Sequence, residues 1–204
     1  MVNRTYNTNI MNNKIIITSR LELVPLTREL CEYELTSRVL LQQELDARLP
    51  DTWPPDMMDK ETIQDFITRL SDKTNCRLYA FYWIKLPDTD SKERVLIGSG
   101  GFFLHPDGTF ELGYSVLKEF QNQGYATEAV TSLLSWAFSH HQVSVITATT
   151  YPDLKASIRV LEKNLFEYAG SGREKGTIAF QRVCLPDENL ADIQYSRKNR
   201  DQPL

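Results

Sequence analysis

The sequence predicts a mixed α/β fold in which an antiparallel front half is joined to a β-α-β-α back half, with one parallel strand pair bridged by a helix. Three features carry this expectation. Three successive segments rich in β-branched and aromatic residues lie between Arg77 and Leu117, a strongly periodic helical stretch opens near Tyr125, and strands and helices alternate after it. The chain has 204 residues, of which 41% are hydrophobic and 25% charged. That is enough to bury the core of one globular domain, and it excludes a disulfide mini-protein and a wholly disordered chain.

In chain order, RLELVPL (Arg20 to Leu26) alternates apolar and polar residues and ends near a proline, which suits a strand. Thr27 is placed to cap helical material containing LCEYEL. After LPDTWPPD, the spacing of Ile63, Phe66, Ile67 and Leu70 predicts an amphipathic helix with Asp59 as its cap. RLYAFYWIKL, VLIGSGGFFL and FELGYSVL then read as three strands, joined through PDTDSKER and HPDGT as an antiparallel meander. Ala126, Ala129, Val130, Leu133, Leu134 and Ala137 share one helical face. VSVITATT is the next strand, Lys155 to Lys163 the next helix, and FEYAG and TIAFQRV the last two strands. Residues 1–13, with five asparagines, and 196–204 read as loose tails around a single domain at 14–195.

The charge balance narrows the function. With 23 basic and 27 acidic residues the formal net charge is −4, which argues against nucleic acid as the main partner. Cys31, Cys76 and Cys184 lack the spacing of a zinc site or a secreted disulfide framework, so no metal is expected and a reducing cytoplasm fits. The polar N-terminus has no signal-peptide core, and the longest near-apolar run, Val95 to Leu104, is too short to span a bilayer.

The turn QNQGYA, Gln121 to Ala126, connects a strand to a helix N-terminus. Such a turn points unpaired backbone N–H groups outward, and the helix dipole favours an anion there. Gly124 allows a ligand close to the backbone, and a pyrophosphate is a suitable guest. Glycines also occur near helix starts without any ligand, and Q-x-x-G-x-A alone is a weak signal.

Taken in order with VLIGSGGFF, FELGYSVLKEF and ASIRVLEKNLF, the turn makes the sequence resemble the GCN5-related N-acetyltransferases (GNAT), and within them the ribosomal-protein N-acetyltransferases. The resemblance covers nearly the whole chain. It implies an acyl-CoA N-acyltransferase fold whose central parallel strands, here FELGYSVL and VSVITATT, splay to admit pantetheine. It implies that backbone groups of Ser115, Val116 and Leu117 pair with pantetheine amides, and that Gln121, Asn122, Gln123, Gly124, Tyr125, Ala126 and Thr127 hold the pyrophosphate. The expected partners are acetyl-CoA and an amine acceptor, with the chain acting as a monomer or homodimer. No nucleic acid, membrane or metal is expected.

Acetyl transfer needs a neutral, positioned amine and a stabilised oxyanion. Glu111 is the candidate base, and it reads equally as an edge carboxylate that attracts a cationic amine. His105 is a second candidate by chemistry, although its place before PDG suggests a solvated turn. The oxyanion donor is expected to be a backbone N–H near Val116 or Leu117. Many relatives carry a tyrosine acid in the late helix where this chain has Leu161. The branch's Asn-x-x-Ser helix start appears as LKAS, so Ser157 matches, which implies a cofactor-binding serine near the thiol or pantetheine, while Leu154 does not match and Leu165 stands in place of a glycine. These departures leave a second reading, a catalytically weak CoA-binding sensor or interaction module.

Overall fold

A computed structural model describes residues 14–72, 78–140 and 143–184. Cys76, His141, the expected tails and the expected domain end at Tyr195 lie outside the described residues. Eight strands form one sheet in the order β1-β2-β3-β4-β5-β6-β8-β7. They are β1 (Ile16–Ile17), β2 (Leu21–Pro25), β3 (Leu78–Lys85), β4 (Val95–Leu104), β5 (Phe110–Val116), β6 (Val145–Thr150), β7 (Glu167–Ser171) and β8 (Ile178–Val183). The helices are α1 (Arg28–Thr36), α2 (Arg38–Leu45), α3 (Lys60–Ser71), α4 (Tyr125–His140) and α5 (Lys155–Lys163). The mixed sheet and the element order agree with the fold class expected from sequence.

The described residues fall into two compact units, one reaching Phe102 and including Tyr114–Tyr125, the other holding Phe103–Gly113 and the residues from Ala126 onward. In the first unit, β1, β2 and β3 pair antiparallel, with Leu23 opposite both Ile16 and Trp83. Thr27 caps α1 by accepting the Leu30 N–H at 3.2 Å, and Asp59 caps α3 by accepting that of Thr62 at 2.8 Å. The helical material after Thr27 is two helices, because Ser37 leaves helical geometry and caps α2 through Leu40 N–H. Leu30 and Cys31 of α1, Ile63 and Phe66 of α3, and Phe81 to Ile84 of β3 are buried in this unit.

β2 departs from simple alternation because both its faces are covered. Glu22, a polar position in the pattern, is buried and meets Arg94 Nη1 at 2.7 Å. A carboxylate taken out of water requires such a partner. The glycines of β4 reflect close neighbours: a Cβ at Gly98 would sit 2.6 Å from the Ser115 carbonyl oxygen, and one at Gly101 would sit 2.0 Å from that of Tyr79.

In the second unit, β5 and β6 run parallel with Phe110, Glu111 and Leu112 opposite Ile146, Thr147 and Ala148. β8 pairs antiparallel with both β6 and β7. The expected face of α4 is buried from Ala129 through Ala137, while Ala126 at its start is half-buried. Asn164 is buried at the end of α5; it accepts from Thr131 Oγ1 at 2.7 Å, and its main-chain oxygen accepts from Arg182 Nε at 3.1 Å.

α5 ends in a Schellman arrangement, with Phe166 N–H donating to the Leu161 carbonyl and Leu165 N–H to that of Glu162, each at 3.0 Å. This geometry puts Leu165 at φ +61, and the residue is 61% exposed. A leucine there carries left-handed strain with little burial in return. Leu165→Gly is expected to raise stability by about 0.5–1 kcal/mol in urea denaturation, the relieved strain outweighing the added chain entropy of glycine.

Candidate active site

β5 leads into the candidate site, and its main chain alternates between its two edges. Leu117 N–H donates to the Ile97 carbonyl at 2.9 Å, and the Ser115 carbonyl lies against Gly98, so these two groups turn toward β4. Of the three residues expected to pair with pantetheine, Val116 therefore presents its N–H and C=O away from β4. The Leu117 N–H is committed to β4 and unavailable as an oxyanion donor, while the Leu117 carbonyl accepts from Phe120 N–H at 2.9 Å. The sequence reading missed this parity because strand spacing alone does not say which edge of a strand faces which neighbour.

After Val116 a 3₁₀ turn at Lys118–Phe120 leads to the exposed residues Gln121 to Gly124. Asn122 and Gly124 adopt left-handed conformations at φ 60 and 84. Asparagine tolerates this region and glycine occupies it without strain. Gln121 Nε2 donates to the Val116 carbonyl at 2.9 Å, and Gln123 Nε2 donates to that of Glu119 at 2.8 Å. These side chains tie the turn to the chain that precedes it. The chain then enters the 16-residue helix α4 at Tyr125.

A residue the sequence reading did not single out joins this turn. Arg20, immediately before β2, donates from Nη1 to the Gln123 carbonyl at 3.0 Å, and its guanidinium lies 4.5 Å from the centre of the Tyr125 ring. No local pattern links residues 103 positions apart, and tertiary structure was needed to find the pair.

The second unit holds Glu111, Ala126, Thr127 and Ser157. Glu111 Oε2 lies 2.6 Å from His105 Nε2 and 3.8 Å from Arg173 Nε. The expectation of a solvated His105 is corrected here: the ring is half-buried and held on the carboxylate. Arg173 Nη2 also meets Asp107 at 3.1 Å. The Thr109 N–H and hydroxyl, with Arg173 behind them, hold the Asp107 carboxyl well below the usual range. Ser157 is half-buried in the first turn of α5, and Leu154 before it provides no side-chain cap. Leu161 is buried, an apolar side chain without a proton to give. Among the described residues no acidic, histidine or cysteine cluster suits a metal ion, and no helix is long and apolar enough to cross a membrane.

A separate polar cluster lies beneath α1. Trp53 Nε1 donates to Glu34 at 2.9 Å, and the Tyr82 hydroxyl also donates to Glu34. Burial, and next the Glu34 charge, push the Cys31 thiol up to about 12, so Cys31 is an inert thiol at neutral pH.

This arrangement of sheet and helices is that of the acyl-CoA N-acyltransferase fold, shared with solved acetyltransferases. One from Bacillus anthracis superposes with a TM-score of 0.55 at 20% identity, covering 83% of this chain and 98% of its own. RimL, a ribosomal L7/L12 alpha-N-protein acetyltransferase in complex with coenzyme A, gives 0.54 at 19% identity, covering 83% and 97%. The chain belongs to the GNAT acetyltransferase domain family, whose model matches residues 20–167. The uncharacterized N-acetyltransferase YnaD of Bacillus subtilis strain 168 is 32% identical over 106 residues, 52% of this chain and 57% of the relative. The chain spans about half the length of the curated relatives it matches, between 42% and 60%.

Burial raises the Glu34 carboxyl above its ordinary value, opposed by the hydrogen bonds from Tyr82 and Trp53. A carboxyl whose folded value is raised binds its proton more tightly in the native state. Its contribution is present below the unfolded value, about 4.3, and is lost as pH rises through the folded one. Urea denaturation at stepped pH is expected to show wild-type stability declining over this window relative to Glu34→Gln, which has no such proton.

Proposed function

We propose that this protein is an acetyl-CoA-dependent N-acetyltransferase that moves an acetyl group to a primary amine, either a small-molecule amine or a protein N-terminus, by direct transfer in a ternary complex. The observation that carries the reading is the QNQGYA turn: exposed from Gln121 to Gly124, left-handed at Asn122 and Gly124, tied through its glutamine side chains to the Val116 and Glu119 carbonyls, and opening directly into α4. Backbone N–H groups of Gln121 through Thr127 hold the pyrophosphate in this proposal, and the main chain of Val116 meets the pantetheine arm. The neighbouring fold bound to coenzyme A in RimL supports the same donor.

Glu111 is the proposed base. The amine lone pair attacks the acetyl carbonyl, the oxyanion takes a backbone hydrogen bond from Val116, and the carbon–sulfur bond breaks as the amide forms. The amine proton passes to Glu111, and the net reaction returns one proton to the departing sulfur. His105 holds Glu111 Oε2 in one orientation, and Arg173 Nε lies 3.8 Å from the same oxygen. A glutamine at 111 is expected to lower kcat by roughly a hundredfold or more while leaving acetyl-CoA affinity unchanged. Steady-state kinetics against a panel of amines and peptide N-termini checks this, and an unaltered pH–rate profile removes Glu111 as base.

Leu161 favours the second reading, a CoA-binding module with little turnover, because no tyrosine stands there to protonate the thiolate. Protein that binds acetyl-CoA but releases no CoA thiol across that panel decides for the module. Gly124→Glu tests the site under both readings: a carboxylate in the path of the phosphates is expected to weaken CoA binding at least a hundredfold in calorimetry, and unchanged affinity refutes the site.

A further inference from the structure

We propose that Arg20 belongs to the donor site, where its guanidinium fastens the Gln121–Tyr125 turn and supplies the fixed positive charge that meets the pyrophosphate of CoA. The inference rests on the acetyl-CoA reading above and adds a side chain to a site otherwise made of backbone.

The segment QNQGYAT carries no cationic side chain, and the whole chain has a net charge of −4. Glu119, just before the turn, adds a negative charge and is held by the Thr52 hydroxyl. Lys118 precedes Glu119 in the same 3₁₀ turn, and a second cation, Arg20, reaches the turn from just before β2. Arg20 Nη1 is bonded to the Gln123 carbonyl at 3.0 Å, and the guanidinium lies 4.5 Å from the Tyr125 ring centre. A Cβ built on Gly124 would lie 3.3 Å from Nη2, so the second nitrogen is beside the glycine on which the anion reading depends. The strand under it is fixed: the Arg20 carbonyl accepts from Leu86 N–H at 2.8 Å, and Leu21 N–H donates to Thr18 Oγ1 at 2.9 Å.

A planar guanidinium can bond a carbonyl with one nitrogen, stack on an aromatic ring with its face and offer another N–H to an oxyanion. A lysine ammonium lacks the plane and the fork. The orientation of the Gln123 peptide, and with it the N–H of Gly124, depends on the Nη1 contact. Arg20 thus acts on the donor in two ways, through the shape of the turn and through its charge.

Calorimetry of CoA and of 3′-dephospho-CoA, which keeps the pyrophosphate, tests this on wild type, Arg20→Gln and Arg20→Lys at several salt concentrations. Melting temperature is followed alongside. Arg20→Gln is expected to weaken both ligands about tenfold and to flatten the salt dependence of affinity, because one ion contact is gone. Arg20→Lys, which restores the charge alone, is expected to recover the salt dependence and only part of the affinity. Unchanged affinity in Arg20→Gln overturns the proposal. So does a loss confined to CoA, which assigns Arg20 to the 3′-phosphate, or a loss with unaltered salt dependence, which leaves a structural role only. Wild-type protein that binds neither ligand overturns the acetyl-CoA reading itself.

Discussion

The alternation of main-chain groups along β5 is the constraint on which the candidate site depends. Leu117 N–H is bound to Ile97 and the Ser115 carbonyl lies against Gly98, so these residues are tied to β4 and Val116 faces the other way. The close approach that allows this needs Gly98, since a Cβ there would lie 2.6 Å from the Ser115 oxygen. At its other end β5 is paired with β6 through Phe110, Glu111 and Leu112. One strand therefore carries the proposed base on a paired segment and ends on the exposed main chain leading to the turn. A slip of one residue would exchange every inward and outward group along it.

Electrostatics at the turn is local. An acidic chain does not attract a polyanion through its overall field. Three nearby features oppose that field: the N–H groups at the start of α4, the left-handed backbone at Asn122 and Gly124, and the Arg20 guanidinium. Around Glu111 the carboxylate has a histidine ring at 2.6 Å and a guanidinium at 3.8 Å, and Asp107 shares that same arginine. These groups form a linked set, so a change at any one of them alters the orientation of the others.

The departures from the family pattern have distinct physical consequences. Leu165 occupies a left-handed helix end that suits glycine, a cost in stability with no direct bearing on chemistry. Leu161 is buried and apolar, so this position of the late helix offers no side-chain proton donor. Leu154 forgoes a capping side chain at the start of α5, where Ser157 stays half-buried in the first turn.

Local signals determined much of this protein. Periodicity placed α3 and α4, the caps at Thr27 and Asp59 are where short-range spacing put them, and the QNQGYA turn was legible because a strand–turn–helix junction is local chemistry. The split between α1 and α2 at Ser37 and the short strand β1 escaped, since neither carries a pattern long enough to show a period. Tertiary structure alone decided which edge of β5 each peptide faces, that Glu22 is buried against Arg94, that His105 lies on Glu111, and that Arg20 reaches Gln123. Each depends on which elements pack together, a question of backbone approach and burial that residue spacing along one chain does not encode.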